Sequence, residues 1–254
     1  MASQQQLTLN VNLRDGFRFE SFYVNKNTME PARSNDELLG ILQAMVASLE
    51  PQQNVIWGES LSGKTHLLQA CCAEESRAHR PVSYVPLKQL SSHGIAVLSG
   101  LTQSSLVVVD DIDSVMGSAE NRDWEIALFN LINTTRDNGQ RLLLSCSENP
   151  RKLYCSLPDL ASRLIWGGCY QLHPLSDEDK PKALQARAEQ RGFELSDRVI
   201  DYLYRRYPRD ISSLMVLLDK LDEESLRQKT LITVPFVKTV LKNLDDSFFQ
   251  SFVD

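Results

Sequence analysis

Gly58-Glu59-Ser60-Leu61-Ser62-Gly63-Lys64-Thr65 decides how this chain reads. The stretch matches G-x-x-x-x-G-K-[ST] in full. It follows an apolar run at Val55–Trp57 and precedes a helical pattern, the strand–loop–helix context that a phosphate loop needs. Its glycines let the backbone N–H groups of residues 58–65, those of Glu59, Ser60, Leu61 and Ser62 included, turn inward around phosphates. Lys64 has the length to reach the β- and γ-phosphates, Thr65 offers a hydroxyl to Mg²⁺, and the helix that follows adds the positive end of its dipole. The expected cofactors are therefore ADP or ATP with Mg²⁺.

Outward from the loop, Leu106-Val107-Val108-Val109-Asp110-Asp111 is the expected partner, a buried strand ending in two carboxylates. Asp110 would hold Mg²⁺ through water, and Asp111 would orient or deprotonate an attacking water. A further apolar run, Leu142–Ser145, ends in Ser145-Cys146-Ser147-Glu148-Asn149-Pro150. That end offers a hydroxyl or amide to the γ-phosphate or the water, with a plain Asn-Pro turn as the alternative. With Val82–Val85 and Cys169–Leu172, five short apolar runs alternate with helical patterns such as Trp124, Ala127, Leu128, Leu131 and Thr135. This alternation predicts an α/β fold, a five-stranded parallel sheet flanked by helices. Ser34-Asn35-Asp36-Glu37 opens an earlier helix that Pro51 is expected to end.

Beyond Pro174 the strand signal fades. Ser176–Asp179, Ser196-Asp197, Asp210 and Thr233-Val234-Pro235 each read as a helix start, and Ile211, Leu214, Met215, Leu218 and Leu221 form one apolar stripe. The expected organisation is an extended arm over 1–14, an α/β domain over 15–175 and a small all-helical domain over 176–254.

Composition narrows the function classes. Lys and Arg number 27 against 33 Asp and Glu, a net charge of −6, and no segment is basic overall. General attachment to a phosphate backbone is not favoured, so no strong direct DNA binding is expected. Mean hydropathy is −0.27 and no apolar run approaches a membrane span, so no membrane association is expected. The first residues lack the charged and apolar regions of a signal peptide, which points to the cytoplasm. Cys71, Cys72, Cys146, Cys155 and Cys169 are odd in number and lack C-x-x-C spacing, so they read as free thiols. His66, His79, His93 and His173 are scattered and need no metal. Trp57, Trp124 and Trp166 read as core.

These pieces together resemble the AAA+ ATPases, and within them the ATPase region of the DnaA replication initiators, from Phe17 to about Leu244. Phe17-Arg18-Phe19-Glu20-Ser21-Phe22 is similar to that family's F-x-F-x-x-F segment, whose continuation borders the adenine, which implicates Phe22 and Tyr23. Asp110-Asp111-Ile112 matches its Asp-Asp-Ile, where most AAA+ proteins carry Asp-Glu. Ser147 stands where the initiators usually carry Asp at the sensor-1 position. Leu160-Ala161-Ser162-Arg163-Leu164-Ile165-Trp166-Gly167 resembles its Leu-x-Ser-Arg-Phe-x-Trp-Gly block. The resemblance implies that Arg163 is an arginine finger reaching a neighbouring subunit's nucleotide. Pro208-Arg209-Asp210-Ile211 resembles the lid's x-Arg-Glu-Leu and makes Arg209 the sensor-2 candidate, with Arg205 and Arg206 as rivals.

The expected architecture lacks the initiators' helix-turn-helix domain and resembles the shortened members that inactivate the initiator. Gln6-Leu7-Thr8-Leu9-Asn10-Val11 is similar to the Gln-Leu-x-Leu-x-Leu peptide by which such proteins dock on the sliding clamp. Gln6 would enter a polar subsite while Leu7, Leu9 and Val11 fill an apolar cleft; Asn10 and Val11 depart from the pattern, and an edge strand is the plain alternative. The resemblance implies a nucleotide-bound regulator with weak or absent ATPase activity of its own. Tethered to the DNA-loaded clamp, it would stimulate hydrolysis of ATP on DnaA and so restrain initiation. A homo-oligomer stays open. An autonomous helicase loader or DNA remodeller, and a non-hydrolysing adaptor, are the competing readings.

Overall fold

The computed structural model describes residues 17–24, 35–206 and 211–242. Its five apolar runs become strands β1 (Gln53–Trp57), β2 (Val82–Pro86), β3 (Leu106–Asp110), β4 (Arg141–Cys146) and β5 (Gly168–Gln171). They form one parallel sheet in the order β2-β3-β4-β1-β5. β3 and β4 are buried along their whole length, which is why they read as unbroken Val and Leu runs rather than alternating ones. Pairing places Trp57, the last residue of β1, beside Cys146 on one side and Gln171 on the other.

Helices α1 (Asp36–Ala47), α2 (Lys64–Arg77), α3 (Leu87–Leu90), α4 (Arg122–Asp137) and α5 (Pro158–Leu164) connect and cover the strands. Leu38, Leu42 and Met45 recur at helical spacing on α1 and are buried. α1 stops at Ala47, before Pro51, because Ser48 turns extended. Successive residues of a strand face opposite sides of the sheet, and β3 shows the consequence. Val107 and Val109 join Leu128, Ile132, Leu160 and Leu164 on one face. Val108 joins Leu38, Leu42, Leu67 and Leu68 on the other.

The described residues divide between Pro174 and Leu175 into two compact units. The second contains α6 (Asp179–Gln190), α7 (Asp197–Arg206), α8 (Ile211–Gln228) and α9 (Val234–Lys242). It has its own core, in which Leu184, Leu203, Leu218, Leu221 and Val237 are buried. Ser176 and Asp179 hold each other at the start of α6: Ser176 Oγ donates to Asp179 Oδ2 at 2.8 Å, and the Asp179 N–H donates to Ser176 Oγ at 3.2 Å. Among the described residues no helix is long and apolar enough to cross a membrane.

Candidate functional site

The loop after β1 is shaped by close backbone contacts that exclude a side chain. The Gly58 N–H donates to Cys146 O at 3.3 Å, and a Cβ on Gly58 would lie 2.3 Å from Leu172 O. Gly63 sits at φ 103°, a region that favours glycine, and a Cβ there would lie 2.9 Å from Cε2 of Phe22. Leu61 takes φ 63° without glycine's freedom, a conformation that recurs where a loop is held for function. α2 then starts at Lys64, so the N–H groups of its first turn have no partner within the helix. Ser62 Oγ is buried without a hydrogen-bond partner among the described residues. Open helix amides, a side-chain-free cradle and an orphaned hydroxyl fit a phosphate chain.

Lys64 is buried, and its Nζ donates to Gly58 O at 2.8 Å and Glu59 O at 3.0 Å. The ammonium therefore lies inside the loop and pins its backbone, with two of its three protons on loop carbonyls. Beside it, Thr65 Oγ1 donates to Asp110 Oδ2 at 2.7 Å, and Tyr84 Oη donates to the same oxygen at 2.8 Å. The other oxygen of Asp110 accepts from Ser145 Oγ, which in turn accepts the Asp111 N–H at 2.9 Å. Asp110 is thus fixed by three hydroxyls on three elements. A hydroxyl and a carboxylate side by side are hard oxygen donors of the kind Mg²⁺ takes from protein when phosphates complete its shell. Among the described residues no group of three or more His, Cys, Asp or Glu could hold a metal ion.

Asp111 adopts the left-handed conformation at φ 56°, turning the chain sharply after β3. Burial, then the neighbouring Asp110 charge, pushes its carboxyl up to about 6, with Lys64 opposing and Asp113 adding to the rise. A carboxyl titrating there is suited to exchange a proton near neutral pH. The turn also brings Asp113 to the end of β4. Ser147 donates both its hydroxyl and its N–H, the latter at 3.2 Å, to Asp113 Oδ2. The Ser147 hydroxyl is thus engaged by a carboxylate that the sequence reading passed over, although three acids at 110, 111 and 113 announced it. Tyr84 was missed because its neighbour in the site comes from another strand, and the hydroxyl that Ser145 brings to the end of β4 is spent on Asp110.

The aromatic lead-in packs on the first turn of α2. Phe17 stacks on His66 at 4.6 Å and Phe22 meets the same ring edge-on at 5.3 Å, while His66 Nε2 lies 3.0 Å from Arg18 O. His66 therefore anchors this segment, which puts Phe22 against the phosphate loop; Tyr23 follows, half-buried.

Arg163 stands elsewhere. Buried Glu125 of α4 accepts Ser156 Oγ and the Leu157 N–H, both at 2.7 Å, and so fixes the start of α5, whose last turn carries Arg163. Gln53 Nε2 donates to Arg163 O at 2.7 Å, and a Cβ on Gly167 would lie 1.9 Å from Gln53 O. Gln53 opens β1 whereas the phosphate loop follows its last residue, so the backbone of Arg163 lies at the opposite end of that strand, about 13 Å along it. The guanidinium carbon of Arg163 lies 4.4 Å from the ring centre of Trp166 and 5.7 Å from that of Phe129. Arg136 lies over the same Trp166 ring at 3.5 Å. Trp166 is 48% exposed, which corrects its reading as core. Gly58–Thr65, Asp110, Asp111, Ser147 and Phe22 thus share one site and Arg163 another face. Arg209 and the arm residues Gln6, Leu7, Leu9 and Val11 lie outside the described residues.

A family model of the bacterial DnaA ATPase domain matches residues 13–171, and one of the Hda lid domain matches residues 177–241. A Haemophilus influenzae protein, described as uncharacterised, is 42% identical over 238 residues, covering 93% of this chain and 98% of its own. Among solved structures, domain III of the Thermotoga maritima initiation protein DnaA superposes with a TM-score of 0.65 at 19% identity, covering 92% of this chain and 97% of that one. AMPPCP-bound DnaA from Aquifex aeolicus gives 0.61 at 22% identity, over 86% and 69%. The DnaA model spans more than half of the chain and the lid model most of the rest: the chain belongs to the DnaA-type AAA+ ATPase family, with a lid of the Hda kind.

Proposed function

We propose that this chain is a nucleotide-holding regulator of replication initiation that supplies Arg163 to the ATP bound by a DnaA-type initiator. Membership of the DnaA family with an Hda-type lid supports a replication-related regulator. The observation that carries the finer reading is the position of Arg163. Its backbone stands at the end of β1 away from its own phosphate loop, with no carboxylate partner among the described residues, which supports a role on another molecule's nucleotide. A guanidinium delivered across an interface offsets charge developing on the γ-phosphate, and for comparable fingers this is worth about 10³–10⁵ in rate.

Its own site would hold ADP or ATP. The amides of residues 58–65 and Lys64 would bind the phosphates, Phe22 and Tyr23 would border the base, and Thr65 and Asp110 would hold Mg²⁺. Bound there, Mg²⁺ would neutralise phosphate charge. The AMPPCP-bound relative supports the adenine nucleotide. Asp111 is proposed to take a proton from water, with Ser147 as the polar group at the end of β4; Arg209 is proposed as the lid's cation over the phosphates. The arm, through Gln6, Leu7, Leu9 and Val11, is proposed to tether the protein to the DNA-loaded sliding clamp, which concentrates it near the initiator.

The test is Arg163→Ala. Clamp retention and nucleotide binding are expected to persist while stimulated hydrolysis of initiator-bound ATP falls by at least a hundredfold. Unchanged stimulation removes the finger from this reading.

A further inference from the structure

The face around Arg163 carries a second cation and an exposed ring that the finger reading does not use. Arg136 is in the last turn of α4 and Trp166 follows α5, so two elements converge on one indole. The guanidinium carbons of Arg136 and Arg163 stand 3.5 Å and 4.4 Å from its centre. Neither arginine forms an ion pair among the described residues. A ring contact occupies the face of a guanidinium and leaves its in-plane N–H groups for an anion, whereas a carboxylate partner would occupy those donors and have to be displaced. The loop bearing Trp166 has little freedom. Gly167 passes against Gln53 O, Gln53 Nε2 reaches Leu164 O at 3.4 Å as well as Arg163 O, and the Trp166 N–H donates to Arg163 O at 3.3 Å. Phe129 also borders the Arg163 guanidinium. A hollow of about 240 Å³, lined in part by Pro51, Gln53, Arg136 and Trp166, runs beside the ring, so this face is open rather than packed.

We propose that Arg136, Trp166 and Arg163 act as one anion-gripping unit, in which Trp166 is the positioning residue for the finger and Arg136 is a second cation for the partner's bound phosphates. The inference rests on the finger reading of Arg163 and deepens it. A long side chain free in solvent must lose its rotamer freedom when it enters an interface. One already laid on an indole has lost most of it, so the gain falls on the rate at full occupancy rather than on docking.

The experiment titrates the full-length protein against ATP-loaded initiator in the presence of DNA-loaded clamp, and reads maximal rate, half-saturating concentration and thermal midpoint. Trp166→Leu is expected to lower the maximal rate at least tenfold with the half-saturating concentration within threefold of wild type. Trp166→Phe, which keeps an aromatic face, is expected to restore at least a third of that rate. Arg136→Ala should lower it about threefold to tenfold without moving the thermal midpoint, and it keeps the test open should Trp166→Leu fold poorly. A wild-type maximal rate in both Trp166→Leu and Arg136→Ala, or a loss that appears only as weaker half-saturation, overturns the inference. Wild-type protein that gives no stimulation overturns the finger reading itself, and this inference with it, an outcome distinct from stimulation that the variants share.

Discussion

Two glycines show how much a single hydrogen atom matters here. Gly58 approaches Leu172 O so closely that a methyl group would sit 2.3 Å from it, and the contact is backbone, which cannot rotate away. Gly58→Ala must shift the loop that Lys64 pins. We expect adenine nucleotide affinity to fall at least tenfold in a fluorescent-nucleotide titration, with a stability loss of about 1–3 kcal/mol from overpacking. Gly40 lies on the exposed side of α1 with nothing within 4 Å of a Cβ built on it. Gly40→Ala should stabilise by roughly 0.5–1 kcal/mol through helix propensity alone, read as a raised urea midpoint with nucleotide binding unchanged. An equal effect of the two substitutions would contradict the steric account of the loop.

Elements are tied together by buried carboxylates as well as by apolar contact. Glu75 on α2 has no exposed side chain, and it accepts two bonds from Arg141, the first residue of β4, at 2.9 and 2.7 Å. It also accepts two from Arg80, both at 2.8 Å, and one from Ser105 Oγ at 3.0 Å. Arg141 in turn donates to Met45 O, Val46 O and Ser48 O at the end of α1. One carboxylate therefore registers α1, α2 and β4. Burial alone would raise its pKa, but the hydrogen bonds from Arg80 and Arg141 outweigh it and hold Glu75 below its ordinary 4.5. Because the folded value is the depressed one, its stabilisation is complete above 4.5 and is lost as pH falls through the lower folded value. Glu75→Gln leaves the Arg141 guanidinium buried without a carboxylate and should cost about 3–5 kcal/mol in urea unfolding near neutral pH. The difference from wild type should shrink as pH drops below 4.5. A constant difference across that range would mean that the charge of Glu75 is not what holds the three elements.

At the scale of the molecule, the proposed partners are proteins, the initiator and the sliding clamp, and the net charge of −6 is in keeping with that proposal. Deleting residues 1–11 is expected to abolish co-purification with sliding clamp and to leave nucleotide affinity unchanged. Equal clamp recovery with and without the arm would turn the proposal towards the helicase-loader alternative. The free thiols belong to this scale too. Burial raises all five, Cys146 to about 12, so none is a thiolate near neutral pH, and activity should be indifferent to mild alkylation.

By itself the sequence determined the strand set, the strand–loop–helix turn over residues 57–65 and the presence of two units, because those depend on local patterns. Unbroken Val and Leu runs can be satisfied only inside a covered sheet, and G-x-x-x-x-G-K-T has backbone geometry written into its glycines. The resemblance to the DnaA family then drew attention to Arg163. What only the tertiary structure decided is which side chains meet. Tyr84 from β2, Ser145 from β4 and Thr65 from α2 converge on Asp110; Asp113 takes the Ser147 hydroxyl; and Arg136 reaches Trp166. Each of these contacts joins residues distant in the chain, so no spacing along it could announce them. The exposure of Trp166 was hidden for the same reason: an indole fits a core or a ledge equally well, and only its neighbours choose between them.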